Sequence, residues 1–281
     1  LKEKVRKAAI LGTLQATLTD FRYLRRVWKS NTEDEALLGL SLTGIMDHEI
    51  MSGQSDSDIL VHWLEEMRNV AIETNAEWAK RLGINPAAAI TCVKPSGTVS
   101  QLVDSSSGIH PRFSPYYIRT VRADAKDPLA QYMVDAGFPA EVDVTKDSNL
   151  VFSFPIQSPV GAVCNEDVGA MEQLRLWKIY QDHWCEHKPS ITVYYKDDEF
   201  LDVAGWCWKN FDSLSGIALL PFSDHTYQQA PYQEITEEEY EEARSVLPSF
   251  DAIAASRFEA GEDSTIGSQE LACAGGACEL P

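Results

Sequence analysis

The sequence predicts an α/β protein in which short strands alternate with longer helices. Three observations predict this class: apolar runs of strand length, as at 87–93; amphipathic stretches with helical spacing, as at 57–82; and capping residues at helix starts, as at Thr236 in TEEEYEEARSVL. Strands and helices that alternate in this way indicate a mostly parallel sheet or a barrel.

Local sequence patterns predict each helix and strand. Ile59, Leu60, Trp63, Leu64 and Met67 recur at helical spacing and predict one long helix, capped by Ser55 or Ser57. The same reading along the chain predicts helices at about 2–28, 57–82, 98–103, 127–136, 169–186, 198–210 and from 236, and strands at 37–45, 87–93, 116–121, 150–154, 190–195 and 216–220.

The periodic pattern fades after Pro248. We therefore expect one folded domain over residues 1–248 and a flexible tail with little core of its own over 249–281. The chain begins with Leu1 inside a running helical pattern, so we expect it to start within a larger architecture.

Composition limits the possible functions. The net charge of -19 argues against a broad surface for the phosphate backbone of a nucleic acid, although a few backbone N–H groups can still hold a small anion. No apolar run is long enough to span a bilayer and no secretory leader is evident, so we expect a cytoplasmic protein without membrane contact. Four of the six cysteines are scattered in apolar surroundings, as is typical of free, buried thiols: Cys92, Cys164, Cys185 and Cys207.

The first motif that could carry chemistry is KPSGTVS at 94–100. It follows a predicted strand and precedes a predicted helix, where the first N–H groups would be unpaired and partly positive. Gly97 permits close approach of the backbone, and Ser96, Thr98 and Ser100 carry hydroxyls. The pattern suits a phosphate site but is not a Walker A loop, and an ordinary strand-to-helix turn is the alternative.

A second cluster, SSSGIHPR at 105–112, follows directly. His110 could be a ligand, a base or a structural hydrogen-bonding residue. Arg112, Arg119 and Arg122 add positive charge to an acidic chain, and solvation at the surface is the alternative for each.

The chain ends with two cysteines, Cys273 and Cys278, around Gly275-Gly276. A thiol pair at a mobile terminus can collect a disulfide at one place and be reduced at another. The alternatives are half of a zinc site, which lacks a second close pair, or a terminus without a role.

Taken together, these motifs resemble the C-terminal half of the catalytic subunit of ribonucleotide reductase. KPSGTVS and SSSGIHPRFSPYYIRTVR carry the likeness, and KPSITVYY at 188–195, LPF at 220–222, YQQAPY at 227–232 and the terminal pair continue it in order. The details are most similar to the adenosylcobalamin-dependent class II enzymes, especially the compact triphosphate reductases.

The resemblance implies the second half of a ten-stranded α/β barrel with a redox tail. Pro95, Ser96, Gly97, Thr98, Val99 and Ser100 would bind the phosphates of a ribonucleoside di- or triphosphate. Cys273 and Cys278 would reduce the active-site disulfide and be reduced by a thioredoxin-like donor. The thiyl-forming cysteine is missing, so an N-terminal reductase half would supply it, share the adenosylcobalamin and complete an enzyme that this chain alone cannot form.

Some roles stay open at this stage. Tyr194-Tyr195 matches a position where class I relatives relay a radical, but class II enzymes need no relay, and packing within the strand is the alternative. Trp206 and Trp208 suit packing or a cofactor wall equally. Other functions also remain: a class I large-subunit fragment, a nucleotide-binding remnant without catalysis, or a thiol carrier.

Overall fold

The computed structural model describes residues 1–222 and 227–259. The chain divides into two compact units. The first consists of Leu1–Arg112 and Gly161–Phe222, and the second contains Phe113–Val160 together with the described residues after 226.

Most helices and strands occupy regions that the sequence predicts, but the strands predicted at 37–45 and 87–93 are shorter, at Leu40–Ser41 and Thr91–Cys92. In chain order the helices and strands are α1 Lys2–Gln15, α2 Arg26–Glu35, β1 Leu40–Ser41, α3 Ser57–Leu82, β2 Thr91–Cys92, α4 Gly97–Gln101, β3 Tyr116–Asp124, α5 Pro128–Asp135, β4 Ala140–Val142, β5 Asn149–Gln157, α6 Ala170–His183, β6 Ile191–Tyr195, α7 Phe200–Lys209, β7 Ile217–Pro221, β8 Tyr232–Glu234, α8 Glu237–Ser245 and α9 Ala252–Glu259.

The strands of the first unit are parallel. β1 pairs with β2, and β6 pairs with β7 in the register Ile191 to Ile217. A parallel bridge between Val93 and Pro189 joins the two pairs, and the Ser190 N–H donates to the Val93 carbonyl at 2.8 Å. Four short parallel strands therefore lie side by side in the order β1, β2, β6, β7.

A large apolar core covers one face of these strands. Ile191 and Val193 of β6 are buried together with side chains of α3 and α6. Two indoles of this core satisfy their N–H groups on backbone carbonyls at 2.8 Å: Trp177 on Pro189 and Trp184 on Cys92. Because side chains alternate along a strand, Thr192 and Tyr194 project from the opposite face of β6.

The long helix α3 confirms the amphipathic pattern but corrects its predicted cap. Asp56, and not Ser55 or Ser57, is the N-cap, and its carboxylate accepts the Asp58 N–H at 2.8 Å. Gly83 ends the helix in the left-handed conformation, with φ 70°. The buried stripe Leu60, Leu64, Met67 and Ala71 fixes the helix against the core.

The predicted helix over residues 2–28 is wrong as one element, because α1 ends at Gln15 and α2 begins at Arg26. In the intervening segment the Thr17 hydroxyl donates to the Leu14 carbonyl at 2.7 Å, and the Thr19 N–H donates to the Thr17 carbonyl. Threonine and aspartate side chains offer such local alternatives to helical hydrogen bonds, which explains the interruption.

The second unit corrects the expectation of a mostly parallel sheet. Its four strands are antiparallel in the order β4, β5, β3, β8, and β3 pairs with β5 from Tyr116–Gln157 to Asp124–Asn149. The order strand, helix, strand suggested a parallel crossover. The three-residue β4 forms a hairpin with β5, so β5 runs back along β3, and the sequence pattern did not show so short a strand.

Helix α9 lies within the segment predicted to be a tail. The Asp251 carboxylate accepts the N–H groups of Ile253 and Ala254 at 2.9 and 3.0 Å, and Ala255 is buried. The part of that segment after Glu259, with Cys273 and Cys278, lies outside the described residues, so the domain boundary at 248 stays a prediction. Within the described residues, no helix is both long and apolar enough to cross a membrane.

Candidate functional site

The turn after β2 lies where the sequence predicts a phosphate site. Gly97 has φ 43°, a left-handed conformation that favours glycine, and a Cβ there would meet nothing within 4 Å. The Lys94 N–H donates to the Ser41 hydroxyl at 3.0 Å, which fixes the start of the turn beside β1. Pro95 and Val99 are exposed, whereas Ser100 is buried and donates from Oγ to the Gly97 carbonyl at 2.9 Å.

The first amides of this turn are not unpaired, which corrects the expectation from sequence. The N–H groups of Ser96 and Gly97 both donate to Oγ of Ser107, at 2.9 and 3.0 Å. The Val99 N–H donates to the Ser96 carbonyl at 2.9 Å. Two successive amides therefore converge on one oxygen atom, and that oxygen belongs to the second motif.

Thr43, which the sequence reading missed, joins the two motifs. Its hydroxyl donates to the Ser106 carbonyl at 2.8 Å, lies 3.0 Å from the Ser96 hydroxyl and accepts the Gly108 N–H at 3.2 Å. Thr43 lies two residues after β1, at the same end of the parallel strands as the turn after β2. Parallel strands bring their carboxyl ends to one edge of a sheet. The position of Thr43 just after β1 could therefore have indicated that it lies beside the turn.

Gly108 lets the two motifs approach each other closely. It has φ 57°, and a Cβ at this residue would lie 2.7 Å from the Lys94 carbonyl oxygen. Such a distance is shorter than van der Waals contact, so only glycine fits without a shift of the backbone.

His110 links the second motif to β6. Its Nε2 accepts the Thr192 N–H at 3.0 Å, and its Nδ1 lies 3.0 Å from the Ser107 carbonyl oxygen. Since Nε2 is an acceptor, the proton belongs on Nδ1 and the ring is neutral. Burial lowers the pKa of His110, and the hydrogen bond to Ser107 opposes that shift. Of the roles left open by the sequence, the geometry fits the structural hydrogen-bonding residue.

Arg112 is buried in ion pairs rather than solvated at the surface. It donates from Nε and Nη2 to the Asp47 carboxylate at 2.8 and 3.0 Å, and from Nη1 to Asp104 at 3.0 Å. The Asp47 carboxylate also accepts the Ser106 N–H at 2.7 Å. This network fixes the loop that carries Ser107.

Arg119 and Arg122 lie in the second unit, where both form structural contacts. The Arg119 guanidinium lies 4.5 Å from the centre of the Tyr232 ring and donates to the Pro231 carbonyl. Arg122 donates to the Asp143 carboxylate at 3.0 Å and to the Gln229 carbonyl. Burial raises the pKa of Asp143, but hydrogen bonds from Thr145 and the charge of Arg122 outweigh it, so the net pKa is lowered.

The strand face opposite the core carries polar side chains near the turn. Leu40 and Leu42 pack towards the core, so Ser41 between them projects from the other face, as Thr192 and Tyr194 do on β6. The Ser41 hydroxyl hydrogen-bonds the Cys92 thiol. This side of the parallel strands therefore presents hydroxyl groups beside the turn at 94–100.

The cysteines of the described residues confirm the expectation of free thiols. Cys92, Cys164 and Cys185 are buried and Cys207 is half-buried. Burial raises the pKa of Cys92, and burial together with the nearby Cys92 raises that of Cys185 further. These thiols are poor nucleophiles at neutral pH, because the thiolate is the reactive form.

Trp206 and Trp208 separate in the structure. Trp206 packs against the core and meets Trp177 edge-on at 6.3 Å between ring centres, whereas Trp208 is exposed. The described residues contain no cluster of His, Cys, Asp and Glu that could hold a metal ion.

Comparison with known proteins confirms the resemblance predicted from the motifs, and the class it indicates is the adenosylcobalamin-dependent ribonucleotide reductases. No protein-family model matches the chain. A crystal structure of a B12-dependent class II ribonucleotide reductase has the same mixed α/β fold, with a TM-score of 0.79 and 21% identity over 92% of this chain and 40% of that one.

Particular relatives are named adenosylcobalamin-dependent ribonucleoside-triphosphate reductases. The protein of Lactobacillus acidophilus is 26% identical over 290 residues, which cover 93% of this chain and 38% of the relative. The protein of Euglena gracilis is 29% identical over 209 residues, covering 73% of this chain and 28% of the relative. The chain thus spans about two fifths or less of the length of the curated relatives it matches.

Proposed function

We propose that this chain is the C-terminal part of a class II ribonucleotide reductase, in which it binds the substrate phosphates and reduces the active-site disulfide. The reaction replaces the ribose 2′-hydroxyl of a ribonucleotide by hydrogen through a thiyl radical. The observation that carries the proposal is the convergence of the Ser96 and Gly97 amides on a single oxygen, at 2.9 and 3.0 Å.

The parallel strands support the expected half-barrel. A parallel sheet is normally covered on both faces, but here the apolar core covers one face and the other presents Ser41, Thr192 and Tyr194. In the proposed enzyme this second face lines the interior of the barrel. The turn at 94–100 would then place the phosphates at the carboxyl ends of the strands, where ligands of α/β folds generally bind.

A phosphate that binds at the turn would displace the hydroxyl oxygen of Ser107. Oγ of Ser107 occupies the point that a phosphate oxygen would take between the two amides. A phosphate oxygen is a stronger acceptor than a hydroxyl because it is charged. We therefore infer that the substrate replaces Ser107 Oγ at the N–H groups of Ser96 and Gly97, with Pro95, Thr98, Val99 and Ser100 completing the turn.

The substrate class is a ribonucleoside triphosphate, which the names of the relatives favour over a diphosphate. These names also favour the class II enzyme over a class I fragment. A nucleotide-binding remnant or a thiol carrier would explain one motif each, whereas the reductase explains the turn and the terminal thiols together.

The terminal thiols would act by disulfide exchange. The thiolate of one cysteine attacks the disulfide that the reaction leaves in the barrel, and a mixed disulfide forms. The second tail cysteine, once deprotonated, attacks the tail sulfur of the mixed disulfide and displaces the active-site cysteine still bound there, so that Cys273 and Cys278 become a disulfide and the active site regains two thiols. A thioredoxin-like dithiol then reduces the pair. The raised pKa values of Cys92 and Cys185 make these buried thiols unsuited to the same role.

The proposed partner is a reductase polypeptide that carries the thiyl-forming cysteine and completes the barrel. Adenosylcobalamin, on which the relatives depend by name, would supply the initiating radical. We assign none of the described residues to the cofactor.

Substitution of Gly97 tests the phosphate turn. In Gly97→Val a β-branched residue cannot adopt the left-handed conformation without strain, so the two amides would no longer converge. We expect the affinity of the chain for a ribonucleoside triphosphate, measured by isothermal titration calorimetry, to fall at least about tenfold, which corresponds to about 1.4 kcal/mol.

Gly161→Val is the matched control. Gly161 also has positive φ, 81°, and free space around its Cβ, but it belongs to neither motif. The control should bind the triphosphate like the parent chain. Equal affinities of the parent and Gly97→Val would reject the phosphate turn.

A further inference from the structure

The side chain of Lys94, the first residue of KPSGTVS, takes part in none of the bonds that join the two motifs. The backbone of Lys94 is fixed, because its N–H donates to the Ser41 hydroxyl at 3.0 Å and the following Pro95 favours an extended conformation. The side chain is exposed and forms no ion pair with the described residues. The turn at 94–100 therefore begins with an ammonium group that no carboxylate of the described residues neutralises.

The direction of this side chain follows from strand β2. Cys92 pairs with Ser41 in the parallel register, so both project from the face opposite the core. Val93 is buried in the core, and in extended backbone the next side chain, that of Lys94, returns to the face of Cys92. Burial raises the pKa of Cys92 and the positive charge of Lys94 opposes that shift, as expected if the two groups are neighbours. Lys94 thus projects from the face that carries the hydroxyl groups, at the carboxyl ends of the strands.

The other basic side chains of the two motifs are already engaged. Arg112 forms ion pairs with the carboxylates of Asp47 and Asp104. The ring of His110 is neutral, and both of its nitrogens lie within hydrogen-bond distance of backbone groups. Of the three basic residues at 94–112, this leaves Lys94 to supply a positive charge to a ligand of the turn. Ammonium groups of lysine are common partners of phosphate oxygens.

We propose that Lys94 binds the terminal phosphate of the substrate and so gives the site its preference for a ribonucleoside triphosphate over a diphosphate. This inference rests on the proposed function, which places a substrate phosphate on the amides of Ser96 and Gly97. Two amides that converge on one point bind an oxygen of a single phosphate group. The additional phosphate of a triphosphate brings further negative charge. An ammonium group on a flexible four-carbon side chain next to the turn can neutralise it.

Isothermal titration calorimetry of the full chain with CTP and CDP tests the proposal. We expect the parent chain to bind CTP more tightly than CDP. Lys94→Met should weaken CTP binding about five- to tenfold and CDP binding less than about twofold, so that the preference is lost. Lys94→Arg keeps the charge and should retain most of the preference. Because the side chain is exposed, the midpoint of urea unfolding should be the same in both variants and the parent.

Lys209→Met is the matched control, since it removes the same charge from another exposed lysine. Lys209 is the last residue of α7, which leads from the carboxyl end of β6 towards the amino end of β7. It therefore lies towards the opposite edge of the parallel strands from the turn. This variant should bind both nucleotides like the parent.

Two results would overturn the role of Lys94 while the phosphate turn stands, provided that Gly97→Val weakens the binding of both nucleotides. One is a parent chain that binds CTP and CDP equally. The other is a Lys94→Met variant in which the ratio of the two affinities is the same as in the parent. If Gly97→Val instead binds both nucleotides like the parent, the phosphate turn is rejected and the role of Lys94 with it.

Discussion

The hydroxyl oxygen of Ser107 accepts a hydrogen bond from the backbone N–H of Gly97 at 3.0 Å. The same oxygen accepts the Ser96 N–H, so a side chain from the second motif fills the anion position of the first. In the proposed function, Ser107 is therefore an internal competitor of the substrate phosphate. The consequence is a substitution that should weaken the fold and strengthen binding at the same time.

Replacement of Ser107 by alanine should produce both effects. The variant leaves the two amides without their acceptor, which should lower the free energy of unfolding by about 1 kcal/mol. A bound phosphate restores the missing acceptor, so the affinity for a ribonucleoside triphosphate should rise about tenfold. Denaturant unfolding and calorimetric titration measure the two quantities.

Ser105→Ala is the control for this experiment. The Ser105 hydroxyl reaches the Ser100 carbonyl at 3.4 Å and contacts neither amide of the turn, so its loss should leave nucleotide affinity unchanged. Weaker binding by Ser107→Ala would show that Ser107 supports the phosphate rather than competing with it.

Gly108→Ala should destabilise the first unit strongly. The added Cβ would lie 2.7 Å from the Lys94 carbonyl oxygen, and alanine would also have to keep φ at 57°. Left-handed strain and overpacking together should cost about 2–5 kcal/mol of unfolding free energy. Gly83→Ala, at φ 70° with free space, should show only the strain, about 1–2 kcal/mol. Equal losses in urea unfolding would mean that the close approach of the two motifs contributes nothing.

The stability of the fold should depend on pH through His110. Its folded-state pKa lies below the ordinary value of 6.5, so the unfolded chain takes up the proton more readily. The contribution of the neutral His110 ring to the free energy of unfolding is therefore complete above pH 6.5. It is lost as the pH falls from there towards the lowered pKa. Protonation would remove the acceptor of the Thr192 N–H.

Comparison of His110→Gln with the parent chain measures this contribution. Unfolding free energies at about pH 7.5 and about pH 5.5 span the titration of an ordinary histidine. The parent should lose more stability between these values than His110→Gln. An identical loss in the parent and His110→Gln would contradict the neutral, buried ring.

Local patterns predicted the helices better than the sheets. The apolar stripe of α3 and the capping residue Thr236 of α8 are encoded within one or two turns, and both helices form where expected. The direction of β5 depends on its hairpin with the three-residue β4, and so short a strand has no periodicity to read.

The candidate site was predicted in parts but not as a whole. KPSGTVS and SSSGIHPR were each singled out, whereas the left-handed conformation of Gly97 was not predicted. The bonds from Ser107 to the turn, from Thr43 to Ser106 and from His110 to β6 arise from tertiary packing. A single sequence carries no signal for such contacts beyond the shared edge of parallel strands.

In the proposed function, this chain forms a ribonucleotide reductase together with a polypeptide that carries the thiyl-forming cysteine. The most direct measurement is deoxyribonucleotide formation from a ribonucleoside triphosphate, with adenosylcobalamin and dithiothreitol, in mixtures of the two polypeptides. We expect product only when both are present, and much less with Gly97→Val. Product from this chain alone, or a mixture whose rate is independent of this chain, would contradict the account.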